Sequence, residues 1–518
     1  MSESRTKKSI RNVIFAGLFS IVDNIFPFIL RTALLKILGD QYLGINNLFH
    51  SVLLVLTLAE LGFGQAFSFC LLKPIAEDDT EKTCALLNLY RKICIIIGII
   101  TLTAGLAVIP YLDKIVKNGY PPDVNIVAVY LIYLSETVIF YFLFADKFAL
   151  LGALQMTFLY DRAVIIIQII ISVLRIICLA LFRNYYIFII FIPLLALLKK
   201  LTAYLIVNRK YSKYVCKGET DWEDKQKVIK LSCDVAINKF GAIVSGSLGS
   251  IVISSLMGLT PVAIYGNYTY VYSALLGIAN ACISSLTPSI GNSIVKESVE
   301  KNYSLFNQIN LINQMFTCVF SNCLFCLYFD FMKFWVGIDL CGDLSYSLVF
   351  TLLFYYSLSR KSIEVFKNAC GIWREDRLKP MVSGIANIVI TFLLFNRLKV
   401  LTPAIATILC YLLIEIPWET KTLFNGYFNM SVKRYYEKSI TFLLMTIITT
   451  SINYCLCLPI NGNFFFIFIV KGVICFISSA LLFVLFVHKK EDFSLAVEKI
   501  MQIIPEKYKK NWKVYNED

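Results

Sequence analysis

The chain predicts an all-α polytopic membrane protein of about fourteen transmembrane helices, with no separate soluble domain. Three observations carry that reading. Of its 518 residues, 58% are hydrophobic and only 16% are charged, whereas a soluble domain carries about 25% charged residues. Apolar runs long enough to cross about 30 Å of hydrocarbon recur about fourteen times along the chain. The basic residues fall on alternate connections between those runs, the pattern of loops that stay on the cytoplasmic side of a bilayer.

The runs are 13–35, 44–72, 93–112, 126–145, 163–182, 185–207, 235–257, 264–290, 304–329, 345–366, 381–396, 400–418, 439–458 and 464–487. Arg5, Lys7, Lys8 and Arg11 precede the first, whose apolar length of about 20 residues is too long for the core of a cleaved signal peptide. The second follows the turn Leu38-Gly39-Asp40-Gln41-Tyr42-Leu43-Gly44, where two glycines let the backbone reverse without a Cβ penalty. The eleventh and twelfth are short and nearly continuous. The longest internal polar connection, 208–232, separates six runs from eight. Around it the halves are alike: Ile37-Leu38-Gly39 through Asn46-Asn47 parallels Leu256-Met257-Gly258 through Gly266-Asn267, as a duplicated six-helix unit would leave. The organisation expected is a six-helix bundle at 1–207, a cytoplasmic linker at 208–232, a second six-helix bundle at 233–430, two added spans at 431–488 and a tail at 489–518. Phe493, Val497, Ile500 and Ile504 recur at helical spacing in that tail, which suits an amphipathic helix on the cytoplasmic surface; residues 148–162 are expected to do the same.

The net charge of +14 follows from topology. With the amino terminus cytoplasmic, even-numbered connections and both tails hold 36 of the 49 basic residues, seven of them in 208–232 and six in 360–380. Both ends are then cytoplasmic, and no nucleic-acid partner is needed. Most of the sixteen cysteines lie in apolar runs, the Cys323-x-x-Cys326 pair included, and read as small helix-packing residues. With His50 and His488 the only histidines, no histidine-based metal centre is expected. Neither a catalytic motif nor a Walker A pattern occurs, so an enzyme is not expected, nor is any cofactor.

What remains is ionisable residues inside spans, where a carboxylate costs roughly 2.5–3.5 kcal/mol on insertion scales. Glu60, Glu136 and Arg175 fall near mid-span, Asp23 within the first span and Arg31 near its outer end. Lys199 and Lys200, Lys239, Glu415 and Lys471 lie nearer span ends. Lys239, Glu415 and Lys199 or Lys200 can equally reach an interface along their own stems. A structural ion pair between neighbouring spans is the lesser alternative for Glu136 with Arg175. For Glu60 and Arg175, depth favours a polar cavity or ion site. Both signs suit a transporter: Arg and Lys for a pyrophosphate, acids for a coupling ion. Asn46, Asn47, Asn267 and Asn292 with Tyr265, Tyr268 and Tyr270 offer the donors and rings that sugars use.

Five segments resemble the first-hairpin pattern of polysaccharide flippases: Arg31-Thr32, Leu38-Gly39, Tyr42-Leu43-Gly44, Glu60-Leu61-Gly62 and Lys73-Pro74-Ile75-Ala76. These are the Wzx-like transporters of the multidrug/oligosaccharidyl-lipid/polysaccharide exporter (MOP) superfamily, to which the MATE exporters and MurJ are related. Ile264-Tyr265-Gly266-Asn267-Tyr268 and Ser289-Ile290-Gly291-Asn292 are similar to the eighth-helix pattern, and Gly371 to Pro380 followed by Asn387 to the tenth-to-eleventh link. Asp23, Pro27 and a link without the usual small-residue and tyrosine pair depart from it. The resemblance implies two six-helix bundles around a central cavity plus two C-terminal helices. It implies transport of undecaprenyl-pyrophosphate-linked oligosaccharide repeat units across a bacterial cytoplasmic membrane by alternating access, for surface polysaccharide synthesis. On this reading Arg31, Arg175, Lys199, Lys200, Lys239, Asn267 and Asn292 are the candidate substrate residues. Glu60, Glu136 and Asp23 are the candidate coupling sites for H⁺ or Na⁺, and no metal site is expected. The partners expected are the lipid-linked oligosaccharide, membrane lipids, a polysaccharide polymerase and glycosyltransferases. The rivals are a drug exporter or peptidoglycan-precursor flippase on the same scaffold, and a membrane polysaccharide polymerase.

Overall fold

Every apolar run of the sequence becomes a helix or a pair of helices, and there is no strand among the described residues. In the computed structural model these are residues 5–57, 63–154, 156–284, 286–372, 375–460, 462–488 and 494. The tail expected as a surface helix lies outside them apart from Ser494. The first run is α1 (Arg5–Ile37). It stops where the Leu38 and Gly39 amides both donate to Leu34 O, at 3.0 and 3.3 Å, and Gly39 takes φ 108°. Only glycine enters that region without strain. The second run, expected as one span, is two helices, α2 (Asp40–Leu56) and α3 (Phe63–Ala76). Thr57 closes α2 by donating its hydroxyl to Leu54 O at 2.8 Å.

Next come α4 (Thr80–Val108), α5 (Leu112–Ile115), α6 (Ile126–Phe142) and α7 (Ala145–Ala153). Asp79 and Asn125 start α4 and α6 by accepting from amides of the first turn. A left-handed Phe144 (φ 52°) bends α7 by 56° from α6. The helix expected to lie on the surface at 148–162 is instead divided between α7 and α8 (Thr157–Phe182). Leu150 and Leu151 are fully buried, because the bend turns α7 into the core. α9 (Tyr185–Lys210) follows, and α10 (Trp222–Met257) begins inside the stretch expected as a linker. Then come α11 (Leu259–Ser284), α12 (Thr287–Lys296), α13 (Val299–Val336), α14 (Leu344–Ser359) and α15 (Lys361–Ala369). α16 (Lys379–Leu398), α17 (Thr402–Cys410), α18 (Ile416–Leu423), α19 (Lys433–Cys457) and α20 (Phe464–Val487) complete the chain. π-helical turns at Tyr411–Glu415 and Phe424–Phe428 flank α18. Among the described residues, seven helical segments are long and apolar enough to cross a membrane, eight with the bent α6–α7 pair. Large side chains such as Leu181, Leu393, Leu413 and Phe465 stay more than 60% exposed, as a lipid-facing surface requires.

The helices form two compact units that interleave in sequence, Met1–Gly266 with Pro380–Pro403, and Asn267–Lys379 with Ala404–Asp518. In the first, Phe67, Leu71, Leu86, Leu87, Leu150, Leu151 and Val207 build a core that also takes in Tyr214 and Val228. The stretch between α9 and α10 is therefore docked rather than loose. Thr220 donates to Ala85 O at 3.0 Å, Asn88 to Gly218 O at 2.9 Å, and Lys82 pairs with Asp224 at 2.7 Å. The second unit is centred on Phe306, Phe366, Phe424, Phe428 and Tyr435, with Phe306 edge-on to Phe366 at 5.2 Å.

Candidate substrate and ion-coupling sites

The two turns paired by sequence similarity share one conformation, Gly39 at φ 108°, ψ −178° and Gly258 at φ 96°, ψ −170°. The helices that follow them, α2 and the first turns of α11, meet closely in the first unit. Thr260 donates to Asp40, and Asn47 Nδ2 reaches Val262 O at 3.5 Å. A side chain at Gly44 would strike the backbone of Leu259, and one at Gly266 would strike Asn47 and lie 2.9 Å from Arg31 Nη2. Arg31 thus sits over Gly266, and its Nη1 donates to Asn47 Oδ1 at 2.8 Å. Beside it Tyr133 donates to Asn46 Oδ1 and lies 3.4 Å from the Tyr185 hydroxyl, while Tyr42 meets Tyr185 edge-on at 5.2 Å.

Deeper in the same unit, α1, α6, α8 and α9 bring four of the sequence-predicted residues together. Arg175 Nε donates to Phe188 O at 2.7 Å, and the guanidinium lies 3.8 Å over the Phe188 ring. Its direct partner is thus a backbone carbonyl, not Glu136. Glu136 feels the charges of both Lys199 and Arg175. Lys199 in turn feels Asp23 and Glu136, and Asp23 accepts from Gln168 Nε2 at 3.0 Å. Asp23, Lys199, Glu136 and Arg175 therefore share one charged region of the first unit, with no direct ion pair among these four described residues; Asp23 contacts Gln168, and Arg175 contacts Phe188 O. Lys200, about 100° further round α9, is buried with its ammonium 3.6 Å over the Phe140 ring.

Other expected residues fare differently. Glu60 and the Lys239 side chain lie outside the described residues. Asn267 is fully buried and Asn292 is exposed on α12. Tyr268, expected among the sugar-facing rings, is a core residue: it is fully buried against Tyr328, Tyr346 and Phe350, with centroids 5.0–5.4 Å away. Lys471 pairs with Asp330 at 2.7 Å. A cleft of about 510 Å³ before α6 is lined by Asp113, Asp123, Tyr120 and Tyr186 and by no basic side chain, so it does not suit a pyrophosphate.

The second unit holds a cluster that sequence reasoning missed. Arg360 pairs with Glu415 at 2.5 Å and Glu419 at 3.1 Å, and its guanidinium lies 4.7 Å from the centre of the Tyr411 ring. Lys379 pairs with Glu419 and, at 3.2 Å, with Asp376; Lys367 pairs with Asp376 and, at 3.7 Å, with Glu419. Lys367, Asp376, Lys379 and Glu419 are buried. Glu415 is therefore tied to Arg360, and among the described residues four of the six bases in the 360–380 connection pair with acids, Lys361 with Glu364 at 2.8 Å included. Glu419 Oε2 and Asp376 Oδ1 have no hydrogen-bond partner among the described residues. The available signal was the acid pair Glu415 and Glu419, one turn apart at the end of an apolar run.

No family model matches the chain, and no curated protein matches it. Solved structures do. The lipid II flippase MurJ in an inward closed conformation superposes with a TM-score of 0.66 at 14% identity, covering 90% of this chain and 98% of that one. An inward-facing multidrug resistance MATE family transporter of the MOP superfamily gives 0.57 at 13% identity over 78% and 94%. A Vibrio cholerae MATE transporter in its bent form gives 0.51 at 16% identity over 82% and 100%. The fold of this chain is the fold of MOP-superfamily transporters.

Proposed function

We propose that the protein is a flippase that carries undecaprenyl-pyrophosphate-linked oligosaccharide repeat units across a bacterial cytoplasmic membrane by alternating access, driven by an H⁺ or Na⁺ gradient. The observation that supports this most is that Asp23, Glu136, Arg175 and Lys199 lie on four apolar helices, α1, α6, α8 and α9, of one unit of a transporter fold, acids and bases together. A pyrophosphate cannot cross hydrocarbon alone, since burying even one ion costs many kcal/mol. Arg31, Arg175, Lys199, Lys200 and Lys239 supply positive partners, with Asn267 and Asn292 for the sugars. Asp23, Glu136 and Glu60 bind the coupling ion and compete with the substrate for the same bases, which links the two. A lipid-linked peptidoglycan precursor is the second reading, favoured by the similarity to the MurJ fold. Polymerase and glycosyltransferases act on either side of this step.

Deleting the gene tests the proposal. The expected outcome is loss of one surface polysaccharide with lipid-linked single units accumulating inside. Single units displayed outside would indicate a polymerase. An intact glycan with altered toxin sensitivity would indicate a drug exporter, and an intact glycan with a wall-synthesis block would indicate the peptidoglycan precursor.

A further inference from the structure

α13, α19 and α20 meet along a seam built in layers one helical turn apart. The first layer is polar: Asn322 donates to Thr449 Oγ1 at 3.0 Å and Ser479 Oγ at 2.9 Å, and Asn453 donates to Ser479 Oγ at 2.8 Å. Such bonds hold helices together where no water competes. Four residues along each helix, on the same face, stand Cys326, Cys457 and Cys475. One turn further are Asp330 and Lys471, paired at 2.7 Å. The middle layer thus consists of three thiols from three helices. All are buried, their sulfurs lie within 4.8 Å of one another, and Cys457 Sγ is 3.5 Å from Cys475 Sγ.

From this we infer that Cys326, Cys457 and Cys475 form a binding site for a single Cu(I) ion between α13, α19 and α20. The site is separate from the transport residues and does not depend on the proposed function. Three thiolate-type ligands at about 2.3 Å from one cation stand about 4 Å apart, and the three sulfurs lie within 4.8 Å of one another. No carboxylate or imidazole joins the three sulfurs within that radius among the described residues. A sulfur-only set selects soft cations over Mg²⁺, Ca²⁺ or Mn²⁺. Three ligands rather than four favour Cu(I) over Zn²⁺, which takes a tetrahedral shell in structural sites. Coordination as two thiolates and one thiol releases two protons and leaves the site at −1, one turn from the Asp330–Lys471 pair. Because the sulfurs are buried, loading requires the seam to open, so exchange is slow once the ion is in.

The test uses the full chain, reduced and purified anaerobically, titrated with Cu(I) against a Cu(I)-specific chelator. The expected result is one Cu(I) per chain that resists the chelator, with a sulfur-only shell by X-ray absorption and a raised thermal midpoint. Cys457→Ala and Cys475→Ala should each lower that affinity at least 100-fold and abolish the thermal shift. A second variant keeps these three cysteines and replaces the other thirteen of the sixteen; it should retain the ion, so a folding defect in the alanine variants cannot mimic the answer. Equal retention by Cys457→Ala, loss of the ion from the three-cysteine variant, or a Cys457–Cys475 disulfide in chains quenched directly from cells would each overturn the proposal.

Discussion

At the scale of single residues, space and charge make separate demands. Gly44 lies against the Leu259 backbone, which cannot rotate away, so Gly44→Ala should destabilise by about 1–3 kcal/mol. Gly291 has nothing within 4 Å of a built Cβ, and Gly291→Ala should leave the thermal midpoint unchanged or raise it. Equal midpoints for the two variants would mean that α2 does not need its close approach. Removing one partner of a buried pair is worse than removing both, because it strands a charge. Glu419→Gln should therefore cost about 3–5 kcal/mol, and adding Lys379→Met should restore part of the loss, read from thermal unfolding in detergent. Glu136→Gln keeps the shape of its side chain. It should leave the fold intact while uncoupling lipid-linked substrate movement from the ion gradient in membrane vesicles, and unchanged coupling would remove Glu136 from that role.

At the scale of elements, the stretch between α9 and α10 shows how a polar segment becomes structure. Its composition reads as a solvated linker, yet Tyr214, Thr220 and Val228 are buried against α4 and α7. The Cys216 thiol donates to Asp146 Oδ2 at 3.0 Å. Burial first, and then the neighbouring Asp146 carboxylate, push this thiol up to about 12. A raised value means the thiolate is scarce until the pH approaches it, so alkylation of Cys216 should stay slow from pH 7 to 9 while the exposed Cys233 reacts readily. Comparable rates at the two sites would show that the segment is undocked. The bend at Phe144 acts in the same way: one left-handed residue converts an expected surface helix into part of the core.

At the scale of the molecule, the orientation rests on where the bases lie. The exposed Ser212, in the connection with seven basic residues, is expected on the cytoplasmic side, and the exposed Asn118 on the opposite side. Single cysteines at these positions in a cysteine-free chain should react with an impermeant thiol reagent from outside intact cells at 118 and not at 212. The reverse pattern would invert the topology. Pairing of Arg360, Lys361, Lys367 and Lys379 with acids weakens the charge bias of one connection, whereas in 208–232 Lys213 meets Asp78 only at the exposed surface.

The sequence by itself determined that the chain is helical and lives in a bilayer, because hydrophobic run length and the scarcity of charge are set locally by what hydrocarbon tolerates. The repeat of the Gly39 and Gly258 turns was legible for the same reason: a positive φ is a property of one residue. Asp23, Glu136, Arg175 and Lys199 could be picked out one at a time by depth. That they share one charged region, while Arg360, Glu415 and Glu419 form a salt-bridged cluster and three distant cysteines share a layer, was decided only by tertiary structure. Those associations join residues far apart in sequence, 176 positions for Asp23 and Lys199 and 149 for Cys326 and Cys475, and they depend on which face each helix turns to its neighbour. Packing sets that face, and no local pattern records it.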